Sequence, residues 1–145
     1  MKTVYYLFLG AFAVFALSEL TAARADDACL NLVEQSKTIS LDGTLTHKVF
    51  PGPPNYEDVR KGDKPEPTYI LQLQKPICAL GIDGPIDRVQ LFPHQDSDGH
   101  ALWAKLRSLI GKKVSVAGTD AFGSWSGHHH ALLLLPITEI KRSMP

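Results

Sequence analysis

The stretch that decides the fold is residues 111–140, GKKVSVAGTDAFGSWSGHHHALLLLPITEI. It opens with Gly111, a residue type that commonly ends a helix. Residues 113–119 then alternate between apolar and polar side chains, which is typical of a half-buried strand. A connection rich in Gly and Ser leads into a second, almost wholly apolar strand at residues 131–140. A helix followed by two closing strands indicates the last third of a small five-stranded barrel.

Three further strands precede that stretch. Residues 39–49 alternate with period two and predict a long first strand, and residues 69–74 and 88–92 predict the second and third. Gly43 lies inside the first strand, where a glycine often marks a bulge or a sharp bend. Such a bend lets a long first strand contribute to both sides of a closed sheet.

One amphipathic helix is predicted between the third and fourth strands. Leu102, Leu106 and Leu109 recur at helical spacing, and the same stripe carries Trp103, which we expect in the core. Ser97 or Asp98 is the candidate N-cap. The resulting order, β-β-β-α-β-β, is that of the oligonucleotide/oligosaccharide-binding (OB) barrel. The predicted fold is therefore mainly β, a small five-stranded OB-like barrel with one helix between strands 3 and 4. An open α+β sandwich with the same order is the alternative, and the position of the helix favours the barrel.

Two loops flank the binding face of OB domains. The first is predicted at residues 50–68, because its prolines remove backbone donors and interrupt a regular ladder; they are Pro51, Pro53, Pro54, Pro65 and Pro67. The second is predicted at residues 122–130. Tyr56 and Trp125 should then lie at the same end of the barrel, with His128 or His130 nearby, and these four residues are the candidate ligand-binding set.

The N-terminal segment indicates export. Residues 1–25 combine Lys2, an apolar run and a small-residue cleavage motif, which predicts a signal peptide removed after Ala25. The mature chain, residues 26–145, then forms one domain in the periplasm or outside the cell, with no stable membrane insertion. In that oxidising setting Cys29 and Cys78 are expected to form a disulfide, two free buried thiols being the alternative.

The charge of the mature chain argues against nucleic acid as the ligand. Without Lys2, Arg24 and Glu19, 13 basic and 14 acidic side chains remain, a formal net charge of −1. A nucleic-acid binder normally carries a basic surface that neutralises phosphates. The sequence therefore predicts a protein or glycan partner rather than DNA or RNA.

The run His128-His129-His130 is the most unusual local feature. If it opens a strand, His128 and His130 point to one face and His129 to the other. Two such imidazoles are close enough to share a Zn²⁺ or Cu²⁺, with His94, His100 and Asp98 as candidates for further ligands. Alternatively, the histidines only form hydrogen bonds at the strand entry or lie in solvent. Ligand spacing alone is a weak indication, and the sequence names no cofactor.

Several short segments together carry a resemblance to a known family; they are Phe50–Glu57 (FPGPPNYE), Gly62-Asp63, YILQL at 69–73, PIC at 76–78, VQL at 89–91, GKKV at 111–114, Gly118, Phe122 and His128-His129. The chain resembles a family of small exported bacterial proteins classed as a domain of unknown function. The resemblance implies a periplasmic or secreted OB-like domain and assigns no reaction.

The sequence therefore favours an exported, non-enzymatic binding module whose ligand is a protein partner or an envelope glycan. A small metal-dependent hydrolase that uses the His128/His130 pair is the alternative. The metal content of the purified protein separates the two hypotheses.

Overall fold

A computed structural model of the chain describes residues 29–34 and 36–143. The predicted signal peptide, residues 1–25, lies outside these ranges. Within them the elements in chain order are β1 (Ile39–Pro51), β2 (Pro65–Ile77), β3 (Ile86–Pro93), α1 (Gly99–Ser108), β4 (Lys113–Gly118), β5 (Phe122–Gly123) and β6 (Leu133–Arg142). A short 3-10 turn, Val59–Lys61, lies between β1 and β2.

Five of these strands close into a barrel. β1 pairs antiparallel with β2 on one side and with β4 on the other, β2 pairs with β3, and β4 pairs with β6. A parallel pairing between β3 and β6 joins the two ends of the sheet. The predicted OB-like barrel is confirmed, and the open sandwich is excluded because the sheet closes. Its interior is filled by apolar side chains that are almost fully buried, among them Leu45, Leu71, Val89, Val114, Leu133 and Ile137.

The first strand contributes to both sides of the barrel, as its length predicted. Its N-terminal half pairs with β4 and its C-terminal half with β2, and Gly43 belongs to both ladders. Neither ladder shifts register there, so the expected bulge is absent. Gly43 instead allows the backbones of β1 and β2 to approach closely, because a Cβ atom at this position would collide with the carbonyl oxygen of Gln72.

The prediction that prolines exclude residues 50–68 from the sheet was wrong at both ends. Pro51 pairs with Pro65 and Val49 with Pro67, so the loop proper is residues 52–64. Proline is tolerated in this part of the sheet because β3 pairs with β2 only from Tyr69 onward. The missing N–H groups of Pro65 and Pro67 therefore fall on an unpaired edge, where a ladder loses nothing.

The last strand starts later than predicted and has an additional partner. Leu132 is 51% exposed, whereas Leu133, Leu134 and Leu135 are at most 1% exposed, so β6 begins at Leu133. The two-residue strand β5, which was not predicted, pairs with Leu133 and Leu134 on the edge opposite β3. Leu133 and Leu135 face the barrel core and Leu134 the opposite side, yet all three are buried, so the start of β6 is covered on both faces, in agreement with its continuous apolar sequence.

Helix α1 begins as predicted but buries less than predicted. Asp98 is its N-cap, and its carboxylate accepts a hydrogen bond from the N–H of Ala101 at 3.1 Å. Leu102 and Leu106 pack into the barrel core, but Trp103 is 37% exposed and rests against Tyr69. The expectation that Trp103 belongs to the core was therefore wrong, because its position lies at the margin of the buried stripe. No helix of the described residues is long and apolar enough to cross a membrane.

The N-terminal segment is fastened to the end of β2. Cys29 and Cys78 form the predicted disulfide. Beside it, Leu30 donates its N–H to the carbonyl of Cys78 at 2.9 Å and accepts from the N–H of Leu80 at 2.8 Å. This disulfide is compatible with an oxidising, extracellular environment.

Candidate functional site

The β1–β2 loop, residues 52–64, is ordered by one carboxylate. Asp63 is only 4% exposed and accepts three backbone hydrogen bonds, from the N–H groups of Asn55 (2.9 Å), Glu57 (2.8 Å) and Asp58 (3.0 Å). These bonds, led by those from Glu57 and Asn55, hold the pKa of Asp63 below its usual range. The loop thus has a fixed shape, although its proline content alone could equally suit a disordered segment.

Tyr56 is held at the tip of this loop. Its backbone adopts a left-handed conformation with φ 60°, and its N–H donates to the carbonyl of Gly52 at 2.9 Å. A positive φ is uncommon for a non-glycine residue and persists only where surrounding contacts impose it. One such contact is Gly127 on the opposite loop, where an added Cβ would lie 3.0–3.1 Å from three atoms of the tyrosine ring.

The β5–β6 loop, residues 124–132, lies on the outer face of the barrel. Gln90, on β3, donates to the carbonyl of His128 at 3.1 Å and accepts from the N–H of His130 at 2.7 Å. Gln90 lies in register with Ile70 and Leu134, which are buried although neither belongs to the barrel core. One amide side chain thereby fixes the backbone of the histidine run above these strands.

Glu66 connects two of the three histidines to the β1–β2 hairpin. Its Oε1 atom lies 2.5 Å from Nδ1 of His128, and its Oε2 atom lies 3.2 Å from Nε2 of His130. Nε2 of His128 in turn lies 3.0 Å from the hydroxyl of Tyr56. Because a carboxylate only accepts, both imidazoles donate to Glu66. When His128 is neutral, its Nε2 atom then accepts a hydrogen bond from the Tyr56 hydroxyl. Tyr56, Glu66, His128 and His130 are called the His–Glu network below.

The network also has an aromatic wall. The imidazole of His130 stacks on Phe50 with centroids 4.0 Å apart and planes 4° from parallel, and its side chain is only 9% exposed. Lys48 places its ammonium 5.0 Å from the Phe50 ring centroid. The loop is therefore joined to the hairpin by stacking as well as by hydrogen bonds.

His129 points the other way and anchors Trp125. Its Nδ1 atom accepts the backbone N–H of Trp125 at 3.0 Å, and the two rings meet edge to face with centroids 5.0 Å apart. Burial, followed by the charges of His128 and His130, lowers the pKa of His129 and favours the neutral ring that this bond requires. The indole of Trp125 itself is 78% exposed. A fixed backbone thus presents a free aromatic ring.

The structure places the predicted site residues at one end of the barrel. Tyr56, His128 and His130 are in one network, and Trp125 lies on the same loop as the two histidines. The predicted division of the histidine run assumed a strand beginning at these residues, but β6 begins only at Leu133 and the three histidines lie in the loop before it. There His128 and His130 share the partner Glu66, whereas His129 contacts Trp125. Sequence reasoning missed Glu66 and Gln90, because each acts across strands.

The weaker metal candidates lie elsewhere. Nε2 of His94 lies 3.1 Å from Asp120, whose carboxylate also accepts from the Thr119 hydroxyl at 2.7 Å and the Ser36 N–H at 3.2 Å. These hydrogen bonds, the one from Thr119 first, lower the pKa of Asp120. His100 is exposed on α1. Among the described residues, no group of three or more His, Cys, Asp or Glu side chains is arranged to hold a metal ion.

The fold and this end of the barrel define an OB-like domain with an ordered two-loop surface. A comparison with protein families matches residues 88–141 to the family described as Domain of unknown function (DUF4431). The match runs from β3 almost to the end of β6 and confirms the resemblance to an uncharacterised family. That the members are exported bacterial proteins stays a prediction. Neither the curated proteins nor the solved structures gave a match.

Proposed function

We propose that the protein is a non-enzymatic binding module that recognises its ligand with the two-loop surface formed by residues 52–64 and 124–132. The observation that carries the proposal is that Trp125 is exposed while its backbone is held in place. Its ring is 78% exposed, while its backbone is bound to His129. An aromatic ring held in place loses little conformational freedom on binding and still offers a large apolar contact.

The polar groups beside Trp125 support recognition of a ligand with mixed character. The Tyr56 hydroxyl, which donates to His128, keeps lone pairs that can accept a hydrogen bond from a ligand. An apolar ring next to a polar edge suits either a protein surface or the ring of a sugar. The partner is therefore a protein or an envelope glycan.

The N-terminal segment and the disulfide support a place of action outside the cytoplasm. A cleaved signal peptide at residues 1–25 would deliver the domain to the periplasm or outside the cell. The Cys29–Cys78 disulfide is compatible with such an oxidising environment. Nucleic acid is not the expected ligand, since the mature chain carries a formal net charge of −1.

The test compares two baits in affinity capture from an envelope fraction of the source organism. Wild type and Trp125→Ala are immobilised at equal density, with Leu132→Ala as a matched control because Leu132 is a 51% exposed apolar residue of the same loop. We expect a protein or glycan that wild type and Leu132→Ala retain and Trp125→Ala loses. Equal retention by all three would place the binding surface elsewhere. Stoichiometric zinc or copper in the purified protein would favour the alternative hydrolase.

A further inference from the structure

The second half of β1 has one open edge. β4 pairs with β1 only as far as Thr44, and the last bonds across this edge join Leu45 to Lys112 (3.0 Å) and Gly111 (2.7 Å). At Gly111, with φ 77°, the chain leaves the sheet toward α1. β1 nevertheless continues to Pro51, paired there with β2 alone.

The alternation of the ladder identifies the groups on this edge. Leu45 directs its N–H and C=O away from β2, so His47 and Val49 direct theirs the same way. Both residues are exposed, Val49 to 50%, and no acceptor for either N–H lies within the described ranges. The edge therefore offers two donors and two acceptors at the spacing of a β-ladder.

The opposite edge of the same hairpin is closed to such pairing. Pro65 and Pro67 occupy its outward-facing positions, where they supply no N–H. Proline on an exposed strand edge is a common protection against pairing with another chain. Pro51 likewise supplies no N–H at the end of the β1 edge, but between Leu45 and Pro51 this edge keeps the donors of His47 and Val49.

Lys48, between the two edge residues, restricts what can pair there. Two copies of this strand that paired with His47 opposite Val49 would place Lys48 directly opposite its own counterpart, and like charges in that position repel. An acidic residue of another chain would instead be attracted. Lys48 thus disfavours self-association and favours a partner of opposite charge.

The other face of the edge is lined by rings. His47 lies 5.0 Å from Tyr69, and Tyr69 lies 5.6 Å from the half-exposed Trp103, measured between ring centroids. Val49 is on the same face. In a strand added here, the residues before and after the acidic residue would point to the face of His47, Val49, Tyr69 and Trp103, where apolar side chains fit.

We propose that the free edge of β1 at His47–Val49 is a strand-addition site for an extended segment of a partner protein. The segment carries an acidic residue opposite Lys48, with an apolar residue on either side. Main-chain hydrogen bonds supply affinity in this mode of recognition, and alternate side chains supply specificity. The site adjoins the two-loop surface where Lys48 lies over Phe50, but it uses the edge of β1 and does not depend on the function of the two loops.

The test uses a synthetic probe, acetyl-Thr-Val-Glu-Val-Thr-amide, and the same peptide with Lys at its centre. Binding is followed by NMR titration and by amide hydrogen exchange of the protein. We expect saturable binding of the Glu peptide with slowed exchange at His47 and Val49, and affinity about three- to tenfold lower for the Lys peptide. Binding without protection of these two amides, or equal affinity for both peptides, would overturn the proposal, as would no binding at millimolar concentration.

A proline variant separates the edge from the rest of the fold. Val49→Pro removes an N–H that β2 does not use, so the barrel should form, and its melting temperature verifies this. We expect Val49→Pro to bind the Glu peptide about three- to tenfold more weakly, while Val49→Thr, which keeps the N–H, binds like wild type. Trp125→Ala should bind the peptide normally, which distinguishes this site from the two-loop surface. Unchanged binding by a folded Val49→Pro variant would contradict strand addition.

Discussion

His130 stacks on Phe50 with ring centroids 4.0 Å apart and planes 4° from parallel. Phe50 lies near the end of the first strand, and His130 lies in the loop before the last. The stacked pair places the edge of the imidazole 3.2 Å from Glu66, the register partner of Phe50. The cross-strand pair Phe50 and Glu66 thus holds the 124–132 loop in two ways, by aromatic stacking and by a hydrogen bond to the carboxylate.

Replacing Glu66 should loosen this attachment. In Glu66→Gln the amide keeps one accepting oxygen, so it cannot accept from His128 and His130 together as the carboxylate does. We expect the free energy of unfolding in urea to fall by about 1–2 kcal/mol. The control is Glu139→Gln on the exposed side of β6, which should stay within about 0.5 kcal/mol of wild type. Equal losses of stability in the two variants would show that Glu66 does not stabilise the contact between the β1–β2 hairpin and the 124–132 loop.

Gly127 is expected to tolerate no side chain. In Gly127→Ala the new methyl group would lie 3.0–3.1 Å from the Tyr56 ring, so the ring must shift and the hydroxyl contact with His128 should weaken. We expect a loss of about 1 kcal/mol in urea unfolding and displaced NMR signals of the Tyr56 ring. Gly99→Ala is the matched control, because no atom lies within 4 Å of its added Cβ. If Gly127→Ala changed neither the unfolding free energy nor the Tyr56 ring signals, the two loops would not pack as closely as described.

Trp125→Ala should leave the barrel intact. The indole is 78% exposed, so its removal should change the melting temperature by no more than a few degrees. Binding of the captured partner should weaken markedly, because an exposed aromatic anchor contributes more to an interface than to the fold. Calorimetry and a titration with that partner measure the two effects. A large loss of stability with unchanged binding would show instead that Trp125 closes the barrel end.

Acidification should release Trp125 through His129. The pKa of His129 is lowered from 6.5 in the folded protein, mainly by burial, so the unfolded chain takes up this proton first. The stabilisation is complete above pH 6.5 and is lost as the pH falls through the folded pKa. In a Trp103→Phe background, Trp125 fluorescence should therefore change as the pH falls below 6.5.

His129→Asn is the control for this effect. Its amide oxygen can accept the Trp125 N–H but does not titrate, so the fluorescence change should be absent or much reduced. Other acid-sensitive groups, such as the His94–Asp120 pair, are the same in both proteins. Identical pH profiles for the two proteins would assign the transition to one of those groups.

The disulfide should be complete and stabilising. Denatured, unreduced protein should show no titratable thiol, because Cys29 and Cys78 are joined. The double variant Cys29→Ser/Cys78→Ser should lose about 2–4 kcal/mol of unfolding free energy, since the bond closes a long loop in the unfolded chain. Thiol counting and urea unfolding measure the two quantities, and two free thiols per chain would contradict the pairing.

Part of the candidate site could be placed from the sequence. His128 and His130 were grouped on the assumption of an extended strand, but β6 begins only at Leu133, and it is Glu66 and Gln90 that hold the two histidines together. The two loops could be assigned to one end because the order of strands and helix indicated the barrel. Glu66 escaped notice because it lies between Pro65 and Pro67, in a segment interpreted as loop.

By itself the sequence determined the order of the main strands and the helix, because side-chain periodicity acts within a few residues. The cysteine pair was predictable because the chain contains only two cysteines. Only the tertiary structure decided that β3 pairs with β6, that Glu66 accepts from two histidines, and that Trp103 lies at the margin of the core. The partners of a carboxylate or a strand edge depend on which distant segments the closed sheet brings together. No local pattern encodes that choice, since it is settled by how the whole barrel buries its apolar side chains and satisfies its backbone hydrogen bonds.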